Sequence, residues 1–205
     1  MTDRKALGSG ASLQNLLARI QSAAAAGVDW IQIREKDLPG RELLGLARGA
    51  VETVAARIIV NDRLDVALAA GAAGVHLGHE SVPAAEVVRW RRAGNAPAGF
   101  LVGVSCHSLK DAKEAEMAGA DYVIFGPVFE TPSKAAFGAP QGVAALAAVC
   151  AAIRLPVIAI GGIDEENAPE CLRAGAAGIA AIRLLQEPAD AAELRRIVER
   201  LHSVG

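Results

Sequence analysis

Short apolar runs rich in Val and Ile alternate along the chain with longer segments in which apolar residues recur every three or four positions. The longer segments, such as the one carrying Leu13, Leu16, Leu17 and Ile20, are typical of amphipathic helices. The short runs predict seven strands, over residues 28–34, 57–60, 73–77, 100–104, 122–125, 157–160 and 178–182. Strands that alternate with helices in this way indicate parallel strands covered by helices, an α/β fold.

Several of these strands follow an Ala-Gly-Ala tripeptide, centred on Gly71, Gly119 or Gly175. We interpret each glycine as a left-handed helix end that leads into the next strand. No linker or shift in composition divides the chain, so a single domain over residues 1–205 is predicted. An open doubly wound sheet and a closed (β/α)8 barrel both fit this pattern, although seven strands are one short for a barrel.

The amino-acid composition argues against several classes of protein, including nucleic-acid-binding and membrane-spanning proteins. Of the 205 residues, 52% are hydrophobic and only 3% aromatic, which predicts a packed core of Ala, Val, Ile and Leu. A net charge of -2 argues against nucleic acid and anionic membranes as partners. No apolar run approaches the roughly 20 residues of a transmembrane helix, and no signal peptide is visible. Three cysteines without metal-site spacing favour a reducing cytoplasm.

Polar residues end the apolar runs, at the positions where parallel α/β proteins bind ligands. Gln32, Arg34 and Lys36 share one face of an extended strand, and this line of polar and cationic groups favours an anion. Asn61 and Asp62 end the next strand, where they also suit a helix cap. The third predicted strand has His76 next to its last residue. The remaining strands are followed by other polar residues or glycines: Ser105, His107, Thr131, Lys134, Gly161, Gly162 and Arg183.

Each of these residues also has a structural explanation, such as a turn histidine at His107 or tight packing at Gly161 and Gly162. What favours a site is the coincidence of six strand ends that each supply such a group. The cations at these ends outnumber the carboxylates, chiefly Asp62 and Glu80. This balance predicts a phosphorylated substrate, with a divalent metal such as Mg²⁺ joining Asp62 to phosphate oxygens.

Six motifs in chain order resemble thiamine phosphate synthase and its relative, thiazole tautomerase. They are Gln32-x-Arg34-x-Lys36, Val60-Asn61-Asp62, Gly74-Val75-His76-Leu77-Gly78, Gly103-Val104-Ser105-x-His107, Phe125-Gly126-Pro127-Val128-Phe129-x-Thr131-Pro132-Ser133-Lys134 and Ala159-Ile160-Gly161-Gly162-Ile163. The resemblance implies a (β/α)8 TIM barrel. The family's first strand ends in Thr-Asp, and Thr2-Asp3 directly follow Met1 here, so the first strand is expected to be truncated in this chain.

The synthase is a transferase of thiamine biosynthesis. In its reaction, hydroxymethylpyrimidine diphosphate loses pyrophosphate through a pyrimidine carbocation, and the nitrogen of a thiazole phosphate attacks the methylene carbon to give thiamine phosphate. The resemblance assigns the pyrimidine diphosphate to Gln32, Arg34, Lys36, Asn61, Ser105 and Lys134. It assigns Mg²⁺ to Asp62, and the thiazole phosphate to Thr131, Pro132, Ser133, Gly162 and Ile182. We expect Arg34, Lys36, Ser105, His107 and Lys134 to be the catalytic residues.

The chain departs from the synthase pattern at Ser81, where the family has a second metal-binding Asp, and this departure is expected to weaken Mg²⁺ binding. Arg183 replaces a usual Ser at a thiazole-phosphate contact and either strengthens or fills that site. Ser133 stands where Thr is common.

These departures keep the tautomerase alternative open. That enzyme aromatises a carboxythiazole phosphate without metal, using a histidine equivalent to His107 as acid and base. A phosphate-binding regulatory barrel without catalysis is a third hypothesis. Under all three, small molecules are the expected partners, and a homo-oligomer stays an option.

Overall fold

The computed structural model describes residues 1–131, 139–188 and 190–203. The strands are β1 (Trp30–Ile33), β2 (Arg57–Asn61), β3 (Gly74–Leu77), β4 (Leu101–Cys106), β5 (Tyr122–Phe125), β6 (Val157–Ile160) and β7 (Gly178–Ala180). The α-helices are α1 (Leu13–Ala25), α2 (Gly40–Thr53), α3 (Leu64–Ala70), α4 (Ala84–Trp90), α5 (Leu109–Ala118), α6 (Gly142–Ala152), α7 (Ala168–Arg173), α8 (Arg183–Gln186) and α9 (Ala191–Ser203). A 3-10 segment covers Arg4–Gly10, and a π-helical turn covers Arg91–Asn95.

The chain divides into two compact units, and a single domain over 1–205 stays a prediction. The first unit contains residues 1–76, 98–100 and 182–200, and the second contains 77–97, 101–181 and 201–205. Within each unit, consecutive strands pair in parallel: β1 with β2 and β2 with β3 in the first, and β4 through β7 in the second. Alternating strands and helices with parallel pairing confirm the predicted α/β class.

All seven predicted strands are present: β5 and β6 have the predicted bounds, and the other five have shifted ends. β4 begins one residue later than predicted and ends two residues later, because Ser105 and Cys106 continue the ladder opposite Ile124 and Phe125. β7 ends at Ala180 rather than residue 182. β3 and β5 are buried along their whole length, as expected of covered parallel strands, whereas every residue of β7 is only partly buried.

The predicted glycine helix ends are confirmed at two positions. Gly71 ends α3 with φ 70°, and Gly119 ends α5 with φ 83°, both left-handed. Gly175 also has a positive φ of 99°, but it lies one residue beyond the C-cap of α7, which is Ala174. In each case the glycine turns the chain from a helix toward the next strand.

Each unit has an aliphatic core, as the low aromatic content predicts. In the second unit, Val123, Phe125, Leu146 and Ala159 are among the buried residues that pack between the strands and α5, α6 and α7. In the first unit, α9 buries Leu194 and Val198 against Ala26 at the end of α1. Within the described residues, no helix has both the length and the apolar character that crossing a bilayer requires.

Candidate active site

The ends of β1 and β2 in the first unit carry a chain of side-chain hydrogen bonds. The Gln32 Nε2 atom donates to Asn61 Oδ1 at 2.9 Å, and Asn61 Nδ2 donates to Asp62 Oδ2 at 2.6 Å. Strand register explains the meeting, because Ile33 pairs with Val60 and so brings the two strand ends level. The bonds fix the orientation of both amides. They leave Gln32 Oε1 buried, with no hydrogen-bond donor among the described residues.

Asp62 has a strained backbone. Its φ is 61°, and it is the only non-glycine residue of the described chain with a positive φ. Such a conformation costs on the order of 1 kcal/mol outside glycine and concentrates at functional sites. Helix capping does not explain it, because the N-cap of α3 is Arg63 and no side chain caps that helix end. The structure therefore excludes the cap explanation for Asn61 and Asp62.

The cationic side chain of Lys36 lies beside the Asp62 carboxylate. The Lys36 Nζ atom lies 3.8 Å from Asp62 Oδ2, and the lysine side chain is 56% exposed. Arg34 is half-buried, and no carboxylate among the described residues pairs with its guanidinium. A half-buried cation without a counter-ion favours an anionic ligand.

His76 on β3 belongs to the same neighbourhood, although we assigned it no role from the sequence. Its backbone oxygen accepts a hydrogen bond from Asp62 N at 2.8 Å. Burial lowers the pKa of His76 to about 4, while the nearby Asp62 carboxylate raises that pKa and the Arg34 charge lowers it. The imidazole is therefore neutral at pH 7. In the sequence, His76 could have been singled out because it is a histidine inside an otherwise apolar strand.

In the second unit, His107 lies between the end of β4 and the start of α5. Ser108 begins the helix by accepting from Asp111 N at 3.1 Å, and Asp111 Oδ2 accepts from His107 N at 2.9 Å. The His107 Nδ1 atom contacts the Gly126 carbonyl oxygen. A carbonyl oxygen only accepts, so Nδ1 carries a proton, and in the neutral imidazole the lone pair is on Nε2. This tautomer makes Nε2 the proton-accepting atom of His107.

Gly161 and Gly162 follow β6 with φ values of 101° and 63°. The segment after β5 lies against them, since Val128 N donates to Ile160 O at 2.9 Å and Phe129 N donates to Gly161 O at 3.0 Å. A Cβ atom on Gly162 would lie 2.3 Å from the Glu130 backbone oxygen. The structure thus brings the residue before Thr131 against Gly162, as a shared site would require.

The remaining predicted residues either have a described position with no test of their role or lie outside the described residues. Ser105 is a half-buried residue within β4. In the first unit, Ile182 forms the N-cap of α8, and Arg183 is the first residue of that helix and is exposed. Pro132, Ser133 and Lys134 lie outside the described residues. The roles predicted for all six stay predictions.

Ser81 closes a turn rather than offering a metal ligand of the expected kind. Its Oγ atom accepts from Gly78 N at 2.7 Å, and its own N–H donates to Gly78 O at 3.2 Å. The neighbouring Glu80 is exposed. In the described part of the chain, no three His, Cys, Asp or Glu side chains group as a metal site.

The three cysteines are unpaired, and Cys106 and Cys171 are buried. Burial raises the pKa of Cys106 to about 12 and that of Cys171 to about 11. Thiolate is therefore scarce at neutral pH, which agrees with a packing role.

Comparison with known proteins identifies the family. The family model described as thiamine monophosphate synthase matches residues 5–185. The chain belongs to the thiamine monophosphate synthase family. A protein of Geobacter sulfurreducens, provisionally named a thiamine-phosphate synthase, is 49% identical over 199 residues, which cover 96% of this chain and 89% of that protein. The thiamine-phosphate synthase of Methanoculleus marisnigri is 48% identical over 169 residues, covering 81% of this chain and 77% of that protein.

A solved structure agrees with the sequence relatives. The thiamine phosphate pyrophosphorylase from Pyrococcus furiosus superposes with a TM-score of 0.82 at 33% identity, covering 99% of this chain and 92% of that one. The expected family fold, a TIM-type α/β barrel, is confirmed by this match. Membership of the family makes the chain a transferase of thiamine biosynthesis, which confirms the predicted class of enzyme.

Proposed function

We propose that this chain is a thiamine-phosphate synthase that joins hydroxymethylpyrimidine diphosphate to thiazole phosphate and releases pyrophosphate. The pair formed by Gln32 and Arg34 on one strand end carries the proposal. The buried Gln32 Oε1 needs an N–H donor that the described residues do not supply, and the amino group of the pyrimidine is such a donor. The Arg34 guanidinium, which pairs with no carboxylate in the described part of the chain, is matched by the anionic diphosphate.

The hydrogen-bond chain supports this assignment of the pyrimidine. If Gln32 rotated its amide, Nε2 would face the ligand and two oxygens would meet at Asn61 Oδ1. Asn61 is itself fixed, because its Nδ2 donates to the Asp62 carboxylate, which can only accept. The Asp62 carboxylate thus determines, through Asn61, that Gln32 presents an acceptor to its ligand. A ligand that presents an N–H group at this position is preferred over one that presents an oxygen.

The proposed reaction develops negative charge on the pyrophosphate, the group that the cationic side chains are proposed to bind. The bond between the methylene carbon and the diphosphate oxygen breaks, and its electron pair leaves with pyrophosphate. The lone pair of the thiazole nitrogen then forms the new bond to that carbon. Negative charge grows on the leaving group, so the Arg34 and Lys36 side chains stabilise the transition state more than the bound substrate. Ser105 and Lys134 keep the diphosphate roles that the resemblance implies.

For the thiazole phosphate, we propose the turn around Gly162 together with Thr131, Pro132 and Ser133. The positive φ of Gly162 and its close approach to Glu130 O require a residue without a side chain. Backbone N–H groups of a glycine turn are donors that phosphate oxygens can accept from. Ile182 and Arg183 keep the thiazole-phosphate roles predicted from the sequence, in which Arg183 adds a positive charge.

Mg²⁺ fits this chain as an ion shared with the substrate. Asp62 provides a hard oxygen ligand at a strained position, and Ser81 supplies no second carboxylate. Mg²⁺ is commonly held by one or two carboxylates plus phosphate oxygens and water. We propose that Asp62 is its protein ligand and that, when bound, the ion neutralises diphosphate charge. The described residues do not form an all-protein metal cage.

Turnover of defined substrates tests the proposal. The purified chain is mixed with the pyrimidine diphosphate, thiazole phosphate and Mg²⁺, and pyrophosphate release and thiamine phosphate formation are followed together. Stoichiometric appearance of both products supports the synthase. Absence of both, with the chain folded by circular dichroism, contradicts it. The Arg34→Met variant removes the guanidinium at similar length and is expected to lose at least about 100-fold in kcat/KM.

The tautomer of His107 supports thiazole tautomerase as a second candidate. Its Nε2 lone pair can take a proton from a carboxythiazole phosphate and return it at another atom, which isomerises the ring with no net change in composition. The test is isomerisation of that substrate in EDTA, with the His107→Gln variant as its control. Isomerisation that persists in EDTA and disappears in the variant assigns this activity. Synthase turnover without isomerisation rejects it.

Free cysteines in the described residues agree with a reducing compartment, and we propose that the reaction takes place in the cytoplasm with small molecules as the partners.

A further inference from the structure

A buried carboxylate lies between two of the proposed substrate-binding cations in the sequence. Glu35 follows Arg34 and precedes Lys36, yet it is only 6% exposed. Its oxygens accept from Thr2 Oγ1 at 2.7 Å and from Arg4 N at 3.0 and 3.1 Å. The Arg4 Nε atom lies 3.8 Å from Glu35 Oε2. These contacts direct the carboxylate toward residues 2–4 and hold it in the interior, where a carboxylate needs such partners.

The same N-terminal segment holds the backbone of β1 where that strand ends. Thr2 N donates to Gln32 O at 2.8 Å, and Arg34 N donates to Thr2 Oγ1 at 2.9 Å. A hydroxyl has one proton, so Thr2 gives it to Glu35 and accepts from Arg34 with a lone pair. Thr2 therefore connects the backbone of both Gln32 and Arg34 to the Glu35 carboxylate.

We propose that Thr2 and Glu35 are positioning residues, which hold the end of β1 so that Arg34 and Lys36 bind the diphosphate of the substrate. This inference rests on the proposed function. It assigns no contact with the reacting atoms to either residue. They affect substrate binding indirectly, because Thr2 holds the backbone of Arg34 and keeps the Glu35 carboxylate directed toward residues 2–4.

Two physical consequences support this role. First, a displacement of about 1 Å in a substrate-binding group can cost about 100-fold in rate, so an anchored strand end matters for Arg34. Second, a Glu35 side chain released from Thr2 and Arg4 would be free to pair with Arg34 or Lys36 and compete with the diphosphate. Burial raises the pKa of Glu35, and the Thr2 and Arg4 bonds oppose that rise.

Substitutions of similar shape separate the hydroxyl and the charge from packing. Thr2→Val keeps the backbone bond to Gln32 and removes the hydroxyl, whereas Thr2→Ser keeps the hydroxyl. Glu35→Gln keeps the volume of the side chain but loses its charge and one acceptor. Asp37→Asn is the matched control, because Asp37 is an exposed carboxylate that pairs with Arg4 and Lys5 of the same segment.

The measurements are the Kd of inorganic pyrophosphate by calorimetry, the KM for each substrate, kcat and Tm. We expect Thr2→Val and Glu35→Gln to raise the pyrophosphate Kd and the KM for the pyrimidine diphosphate at least about tenfold. The KM for thiazole phosphate is expected to change less than about twofold, and Thr2→Ser and Asp37→Asn to behave like the wild type. A purely structural role would lower Tm and the active fraction without separating the two KM values.

The inference is overturned if folded Thr2→Val binds pyrophosphate as the wild type does. If Glu35→Gln fails to fold, the comparison of Thr2→Val with Thr2→Ser decides. Failure of the proposed function is a different result, because the wild-type chain would then release no pyrophosphate from the two substrates. The pyrophosphate Kd of the folded variants shows in either case whether Thr2 and Glu35 affect anion binding at the end of β1.

Discussion

The Asn61 side chain donates from Nδ2 to Oδ2 of Asp62, its neighbour in sequence, at 2.6 Å. The same side chain accepts from Gln32 Nε2, so it joins the acidic residue to the buried glutamine. We expect Asn61→Ala to lower kcat/KM about 100-fold, because both Gln32 and Asp62 lose their orienting partner. Steady-state kinetics check this, with Asn95→Ala, which removes an exposed asparagine, as the control. Equal activity in the two variants would contradict the role of the chain of bonds.

The strain at Asp62 leads to a comparison of two variants that both lose the carboxylate. Glycine adopts a φ of 61° freely, whereas alanine does not. We therefore expect Asp62→Gly to be more stable than Asp62→Ala by about 1 kcal/mol in the free energy of unfolding. Both variants are expected to lose metal-dependent turnover. Urea denaturation measures the difference, and equal stabilities would show that this backbone position carries no strain.

Ser81 offers a gain-of-function test. Ser81→Asp adds a carboxylate, which is expected to tighten Mg²⁺ binding about tenfold in the presence of inorganic pyrophosphate. Ser81→Asn is the uncharged control, since its side chain has nearly the same shape. Calorimetric titration with MgCl₂ gives the affinity directly and does not depend on turnover. Equal Kd values for the two variants would show that residue 81 does not reach the ion.

His76 predicts a loss of stability in acid. Its folded pKa of about 4 lies below the usual value of 6.5, so the unfolded chain binds an additional proton between these two pH values. The contribution is fully present above pH 6.5 and is lost as the pH falls toward 4. The loss is of the order of 3 kcal/mol at most.

Unfolding free energies measured from pH 7 to pH 5 test this expectation. We expect the slope against pH to be smaller in His76→Asn than in the wild type, whatever the effect of the substitution on absolute stability. His202→Asn, which removes an exposed histidine, is the control and should keep the wild-type slope. A wild-type slope in His76→Asn would contradict the assignment.

The turn after β6 gives a packing test. A Cβ atom on Gly162 would lie 2.3 Å from a backbone oxygen and at a φ of 63°, so Gly162→Ala is expected to cost about 2 kcal/mol or more. Gly178→Ala is the matched control, because its Cβ atom would meet nothing within 4 Å. Thermal unfolding and the Kd of thiazole phosphate are measured on both. Similar values for the two variants would remove the steric argument for Gly162.

The strand positions could be predicted from the sequence because they depend on local patterns. Runs of Val and Ile indicate β2 and β5 without knowledge of their partners, and the glycine helix end at Gly119 marks the start of β5. The exact end of β4 depends on pairing with β5, so the run ending at Val104 did not include Ser105 and Cys106. Pairing between distant segments leaves little local signal.

The candidate site was predictable to a similar degree. The residue types at the ends of β1 and β2 indicated an anion site, and Gln32, Asn61 and Asp62 do meet. The direction of each hydrogen bond, the strained backbone of Asp62 and the burial of His76 depend on three-dimensional packing. The bonds from Thr2 to Glu35 and Arg34 were not predicted either, because they join residues more than 30 positions apart.

The pairing of Gly103 on β4 with Tyr122 on β5 has a consequence for how this protein can vary. A Cβ atom on Gly103 would lie 2.1 Å from the ring of Tyr122, which is the only tyrosine in the chain. The ring occupies the volume that the missing side chain leaves. Any side chain at position 103 therefore requires a smaller residue at position 122, so Gly103 can change only together with Tyr122.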